Sequence, residues 1–256
     1  MNKIESRFII PNIVTGTNMF LGFISIIMAI KGDYVKAAIF ILMAILTDGA
    51  DGKIARILNG FSDFGKEFDS FSDAVSFGVA PSILIYSILN KNNLDIIEKT
   101  HISRDLVIPV AFLFLLCVIL RLVKFNIMTV PSKEKADFIG MPSPTGAGII
   151  ASYIIFSTKI FGDIKYIENL FVLLVFISSL MMISTIKFKN VVKTFRVKNI
   201  WIIAVIVILL FSFFQYTLFP FGILYTLINV ADCLKDKKIK IANEVDDIDT
   251  DESDNA

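Results

Sequence analysis

The sequence predicts an all-α, polytopic membrane helix bundle of about eight transmembrane helices, with both termini on the cytoplasmic side. Three observations predict it. The chain is 55% hydrophobic but only 19% charged, below the roughly 25% usual for a soluble domain. Its apolar residues fall in runs of roughly 15 to 20 with almost no charge, close to the length that crosses a bilayer as a helix. Its basic residues collect in alternate loops. Lipid offers backbone groups no partner, so such runs must be helices or a closed barrel. They are too uniformly apolar for the alternating strands of a barrel.

Taken in order, the spans are expected at 14–30, 34–57, 70–90, 105–127, 144–160, 167–186, 199–215 and 218–233. Residues 1–13 alternate charge with Ile and Phe, which suits an interfacial segment, and Pro11-Asn12 is expected to break the chain before the first span. No small-residue cleavage site follows the first apolar run, so a removed signal peptide is the wrong reading. The stretch 187–198 carries Lys187, Lys189, Lys193, Arg196 and Lys198 with no acid, which assigns it to the cytoplasm. Counting back puts the N-terminus, the 58–69 turn and the 128–143 loop on that side. Lys3, Arg7, Lys66, Lys133 and Lys135 agree. The Lys31-Gly32-Asp33 turn and the 91–104 loop then face outward.

The domain plan follows: a catalytic bundle over 14–186, a basic cytoplasmic loop at 187–198, an additional transmembrane pair at 199–233, and a charged tail at 234–256. The tail ends NEVDDIDTDESDNA, acidic and without an aromatic, a composition expected to be disordered. Cys117 and Cys233 read as structural thiols with no disulfide or zinc spacing. His101, the single histidine, reads as a surface residue and removes any multi-histidine metal site.

The chemistry is concentrated in LTDGADGKIARILNGFSDFGKEFDSFSDAVSFGVAPS. Asp48 and Asp51 are three apart, and Asp69 and Asp73 four apart, so each pair shares one helix face. Asn59, Gly60, Ser62, Asp63 and Gly65 lie between, with Asp63 read as a turn residue. Two antiparallel helices joined there bring four carboxylates together. Four such charges at one membrane depth repel and are costly to desolvate. Oxygen ligands alone suit Mg²⁺ or Mn²⁺, and two such ions can clamp a diphosphate. Phosphoryl-type chemistry at the cytoplasmic membrane edge is the reading that results. Gly49, Gly52 and Ala55 leave a slot for a nucleotide or allow close helix packing. Lys53 and Arg56 stand beside it, either on phosphate or snorkelling to the interface. A divalent-cation transporter is the rival of another class, since membrane aspartates also mark ion paths. It calls for polar groups across further spans, and 167–183 and 200–214 have almost none after Glu168.

The pattern Asp48-x2-Asp51-Gly52-x2-Ala55-Arg56-x8-Gly65-x3-Asp69-x3-Asp73 resembles the signature of the CDP-alcohol phosphatidyltransferase family. SFGVAP at 76–81 is similar to the phosphatidylserine synthases of bacterial and archaeal type. So are Pro11-Asn12-x2-Thr15-x2-Asn18, Arg121-Leu122-x2-Phe125-Asn126 and Gly140-Met141-Pro142-Ser143-Pro144. The resemblance implies a metal-dependent enzyme that displaces CMP from a CDP-lipid by the hydroxyl of L-serine. It implies two Mg²⁺ or Mn²⁺ ions, with Asp48, Asp51 and Asp69 as main ligands and Asp73 near the second ion. Asp73 is also implied as the catalytic general base, and Gly52, Ala55, Arg56 and Gly65 as the CDP-lipid lining. Arg121, near the cytoplasmic end of the fourth span, suits the serine carboxylate or an interfacial anchor, with Asn126, Ser143 and Thr145 as further polar lining. Lys124 departs from the arginine often found there and loses the bidentate fork. Sister enzymes using glycerol 3-phosphate or inositol phosphate remain the alternative of the same fold. A homodimer in the cell membrane is implied, with the active site facing the cytoplasm; nucleic acid is not among the expected partners.

Overall fold

A computed structural model describes residues 3–58, 60, 62–95, 104–128, 138–162, 168–188, 194 and 213–253. Helix α1 (Lys3–Ile30) turns at Gly32 into α2 (Tyr34–Leu58), and the two pack as an antiparallel hairpin. Gly32 has φ 79°, a left-handed conformation that a side chain would strain. Asp33 ends the turn, taking the Lys36 backbone N–H at 3.3 Å and its ammonium at 2.7 Å. That exposed pair holds the Asp33 carboxyl below its usual range.

The next rod is continuous through α3 (Asp63–Asp73), a π-helical segment (Ala74–Val79) and α4 (Ala80–Asp95). Ser62 caps it, its hydroxyl accepting the Gly65 N–H at 3.0 Å. This corrects two expectations. The third helix begins at Asp63 rather than 70, and Asp63 is its first residue rather than part of the turn. The Ser62 cap and an acid in the first turn start the helix earlier than its apolar run does. Pro11, expected to break the chain, instead lies inside α1. Only one backbone hydrogen bond is lost at a proline, and α1 is held along its length by α2 and by the α3–π–α4 rod.

Helix α5 (Arg104–Met128) lies against α4 and the π segment. Helix α6 (Ser143–Phe161) is the centre of the molecule, packed against α2, α7 (Glu168–Ile183) and α8 (Phe214–Ser253). Ala147, Ile150 and Ile154 are fully buried there, and Tyr153 stacks on Phe171 with centroids 5.6 Å apart. Strands β1 (Phe138–Ile139) and β2 (Lys187–Phe188) pair antiparallel. Beside them the Met141 N–H reaches the Met181 carbonyl at 2.9 Å. Gly140, at φ 84°, passes so close to the Met182 carbonyl that a Cβ would collide with it. This clamp fixes where α6 starts, and with it Ser143.

Eight spans are more than the described residues establish. They form seven helical rods, counting α3–π–α4 as one, and four are long and apolar enough to cross a membrane: Ile9–Ile30, Asp63–Asn90, Asp105–Ile127 and Phe214–Lys235. Helix α2 carries Lys36, Asp48, Asp51, Lys53 and Arg56, and α6 is interrupted by Gly, Ser and Thr, which its protein surroundings tolerate. Helix α7 has a shorter apolar stretch, Leu170–Ile183. Most of the expected 199–215 span and of the basic loop, His101, Lys133 and Lys135 lie outside the described residues. The backbone of α8 continues to Ser253, through acidic sequence expected to be disordered. Extending an existing helix carries no nucleation cost. Cys117 is buried in α5 and Cys233 half-buried in α8; both are free thiols.

Candidate active site

Capped at Ser62, α3 packs on α1, and its acidic face meets that of α2. One carboxylate oxygen each from Asp48, Asp51 and Asp69 lie within 4.8 Å of one another. Helix α1 supplies the third wall. The Thr15 hydroxyl is 3.0 Å from Asp51 Oδ2 and 3.1 Å from the Pro11 carbonyl one turn earlier. Ser72 donates back to the Thr15 carbonyl at 3.0 Å, locking α3 to α1 beside the acids.

Asp73, one turn further along the same rod, stands outside that trio. Its charged neighbours are Asp48, Asp69, Asp51 and Arg121. One oxygen of Asp69 and one of Asp73 are buried without a hydrogen-bond partner. Carboxylate oxygens left bare in a low-dielectric site are strongly unfavourable. An all-oxygen donor set with spare lone pairs fits a hard divalent cation such as Mg²⁺ or Mn²⁺. The trio accounts for one such site.

Above the acids opens a cavity of about 210 Å³, whose wall includes Thr15, Asp51, Gly52, Ala55, Gly65 and Asp69. Three of the four residues expected to line a nucleotide pocket, Gly52, Ala55 and Gly65, line this cavity. Gly65 is needed for space, since a Cβ there would lie 3.1 Å from Ser62 Oγ and 3.3 Å from Asn12 Oδ1. Arg56 is the exception. It is exposed and folds back on its own helix, donating from Nε to the Gly52 carbonyl at 2.8 Å, so it does not line this cavity.

On the opposite side, Arg121 is 7% exposed and donates from Nη1 to the Ser143 hydroxyl at 2.9 Å. Its Nε, also buried, has no partner. Arg121 is thus a buried cation facing Asp73 and Asp48, not an interfacial anchor. Ser143 is fully buried at the start of α6, and Thr145 is half-buried in the same first turn. Asn126 is committed elsewhere: its amide donates to Ser70 Oγ at 2.9 Å, clasping α5 to α3. Lys124, beside it, is half-buried. Sequence reasoning gave Thr15 no role of its own. Its spacing from Pro11 and Asn18 marks one face of α1, but the partner that face meets is visible only in three dimensions.

Comparison with known proteins gives the same direction. The family described as CDP-alcohol phosphatidyltransferase matches residues 8–184. The CDP-diacylglycerol–serine O-phosphatidyltransferase of Helicobacter pylori is 32% identical over 187 residues, 73% of this chain and 74% of that protein. An archaetidylserine synthase of Methanothermobacter thermautotrophicus is 39% identical over 153 residues, 59% of this chain and 60% of that one. The CDP-diacylglycerol–serine O-phosphatidyltransferase of Mycobacterium leprae is 36% identical over 143 residues, 54% of this chain and 44% of that one.

Proposed function

The chain belongs to the CDP-alcohol phosphatidyltransferase family, and from that premise we propose how its residues transfer a phosphatidyl group from a CDP-lipid to L-serine, releasing CMP. Relatives named for serine as acceptor support that substrate over phosphorylated acceptors, and the family itself disposes of the cation transporter. The single observation that carries the reading is the convergence of Asp48, Asp51 and Asp69 beside a cavity that Asp51 and Asp69 line together with Gly52, Ala55 and Gly65.

The three clustered aspartates hold divalent metal, with Asp73 completing a second site beside Asp48. When bound, two such ions supply charge to neutralise the diphosphate and the departing phosphate of CMP. The glycines and Ala55 give the CDP moiety its room. Arg56 reaches phosphate by leaving its Gly52 carbonyl. Arg121 holds the serine carboxylate, Ser143 orients the guanidinium, and Thr145 extends the polar wall. Asp73 takes the proton from the serine hydroxyl. The serine oxygen then bonds to the lipid-side phosphorus as the phosphorus–oxygen bond to CMP breaks. No protein nucleophile takes part, so rate comes from positioning and electrostatics.

The acids lie at one end of the helices, the end the positive-inside rule assigns to the cytoplasm, so serine enters from there while the lipid enters from the membrane. The protein acts as a homodimer in this proposal, which cross-linking in membranes reads directly. The testing experiment is turnover with purified protein: serine-dependent CMP and a phosphatidylserine-type lipid are expected. CMP only with glycerol 3-phosphate or an inositol phosphate sinks the serine assignment.

A further inference from the structure

Among the described residues, Asn18 is fully buried, yet neither its amide nitrogen nor its amide oxygen has a hydrogen-bond partner. Buried amides without partners are uncommon, and one in a native fold points to a missing partner. The other unpartnered atoms in this end of the bundle belong to Asp69, Asp73 and Arg121, all assigned above to substrate or metal. Asn18 alone has no use in that account.

Its position follows from the helix register. Thr15 meets Asp51, and the hydroxyl of Ser72 meets the Thr15 carbonyl. One step further along α1, the hydroxyl of Ser76 meets the Asn18 carbonyl at 2.9 Å. Helix α1 and the α3–π–α4 rod therefore advance together, while α2 runs the opposite way. The level that holds Thr15 and Asp51 is followed inward by the level of Asn18 and Asp48, and Asp73, one residue past Ser72, lies between the two. Arg121 is a charged neighbour of both Asp73 and Asp48.

We propose that Asn18 binds the acceptor amino acid, its unpartnered carboxamide meeting the polar groups of serine that Arg121 leaves unmet. This inference rests on the function proposed above. Serine presents an ammonium and a hydroxyl as donors and a carboxylate as acceptor. A carboxamide offers two donors and a carbonyl acceptor in one neutral group, and can meet either kind. Arg121 offers only donors. Together with the carboxylate of Asp73 they match a zwitterion of zero net charge, and the neutral amide adds no cation to attract a phosphorylated acceptor.

The test is the kinetics of Asn18→Ala, Asn18→Thr and Asn18→Gln in detergent, varying serine and CDP-lipid separately, with CDP-lipid binding measured alongside. Removing hydrogen bonds to a charged substrate is expected to raise the serine KM by about tenfold to a hundredfold in Asn18→Ala. The KM for CDP-lipid and the binding of CDP-lipid should stay within about twofold, a split a merely structural role does not give. An unchanged serine KM, or an equal loss for both substrates, overturns the proposal and leaves Asn18 to a buried water. Failure of all three variants to bind CDP-lipid marks Asn18 as structural and overturns it too. If the wild-type protein makes no CMP with serine, it is the proposed acceptor that fails, a result separate from any of these.

Discussion

Replacing Asp69 by Asn keeps the side chain's shape and removes its charge from the cluster it forms with Asp48 and Asp51. CMP release is expected to fall by about a hundredfold or more, on the scale of losing one preorganised electrostatic group. Full metal-dependent turnover in Asp69→Asn contradicts the site. Asp73→Asn separates the proton step from binding: turnover drops about 10²- to 10⁴-fold while CDP-lipid binding persists. Loss of both together places Asp73 among the metal ligands only. The acids were legible in the sequence because a spacing of three or four residues on a helix fixes a shared face whatever lies opposite. Arg56 and Asn126 were not, since a side chain's choice between the pocket and its own neighbours depends on partners that spacing does not specify. Arg56 takes the Gly52 carbonyl and Asn126 takes Ser70.

At the scale of the elements, the seam between α1 and the π segment is a close contact beside the site. A Cβ built on Gly22 would lie 2.5 Å from Ser76 Oγ and 2.7 Å from its Cα. Gly22→Ala is expected to destabilise the fold by about 1–3 kcal/mol, the usual cost of overpacking, read as a lower melting midpoint in detergent. An unchanged midpoint means the two helices can separate freely there. The π segment itself was invisible in SFGVAP, because an inserted helical residue leaves no hydrophobic period of its own. The early start of α3 was partly visible: Ser62 is a capping residue, but the apolar run that defines a span begins later. The start of α6 is another feature the residue pattern only hints at. Gly140→Ala places a Cβ against the Met182 carbonyl at a left-handed φ, so the clamp that seats Ser143 should loosen. Serine use is then expected to suffer more than CDP-lipid binding, which kinetics in each substrate will read.

For the molecule as a whole, the described helices form one bundle whose carboxylate cluster, Asp48, Asp51 and Asp69, is gathered where α2 and α3 meet. The hydropathy of the chain marked its membrane character well, because lipid imposes one rule on every span. It marked the number of spans less well. Helices α2 and α6 were both expected as spans, yet neither is among the four described helices long and apolar enough to cross a membrane, because α2 carries Lys36, Asp48, Asp51, Lys53 and Arg56 and α6 is interrupted by Gly, Ser and Thr.

The central claim is that the aspartate cluster performs metal-dependent transfer to serine, and CMP release by the purified protein in detergent tests it most directly. The assay holds CDP-diacylglycerol or its ether analogue, with and without L-serine, with Mg²⁺ or Mn²⁺ or after chelation. CMP and a phosphatidylserine-type lipid should appear only when serine and metal are both present, and return when metal is restored. CMP release that persists after chelation, or that ignores serine, contradicts it.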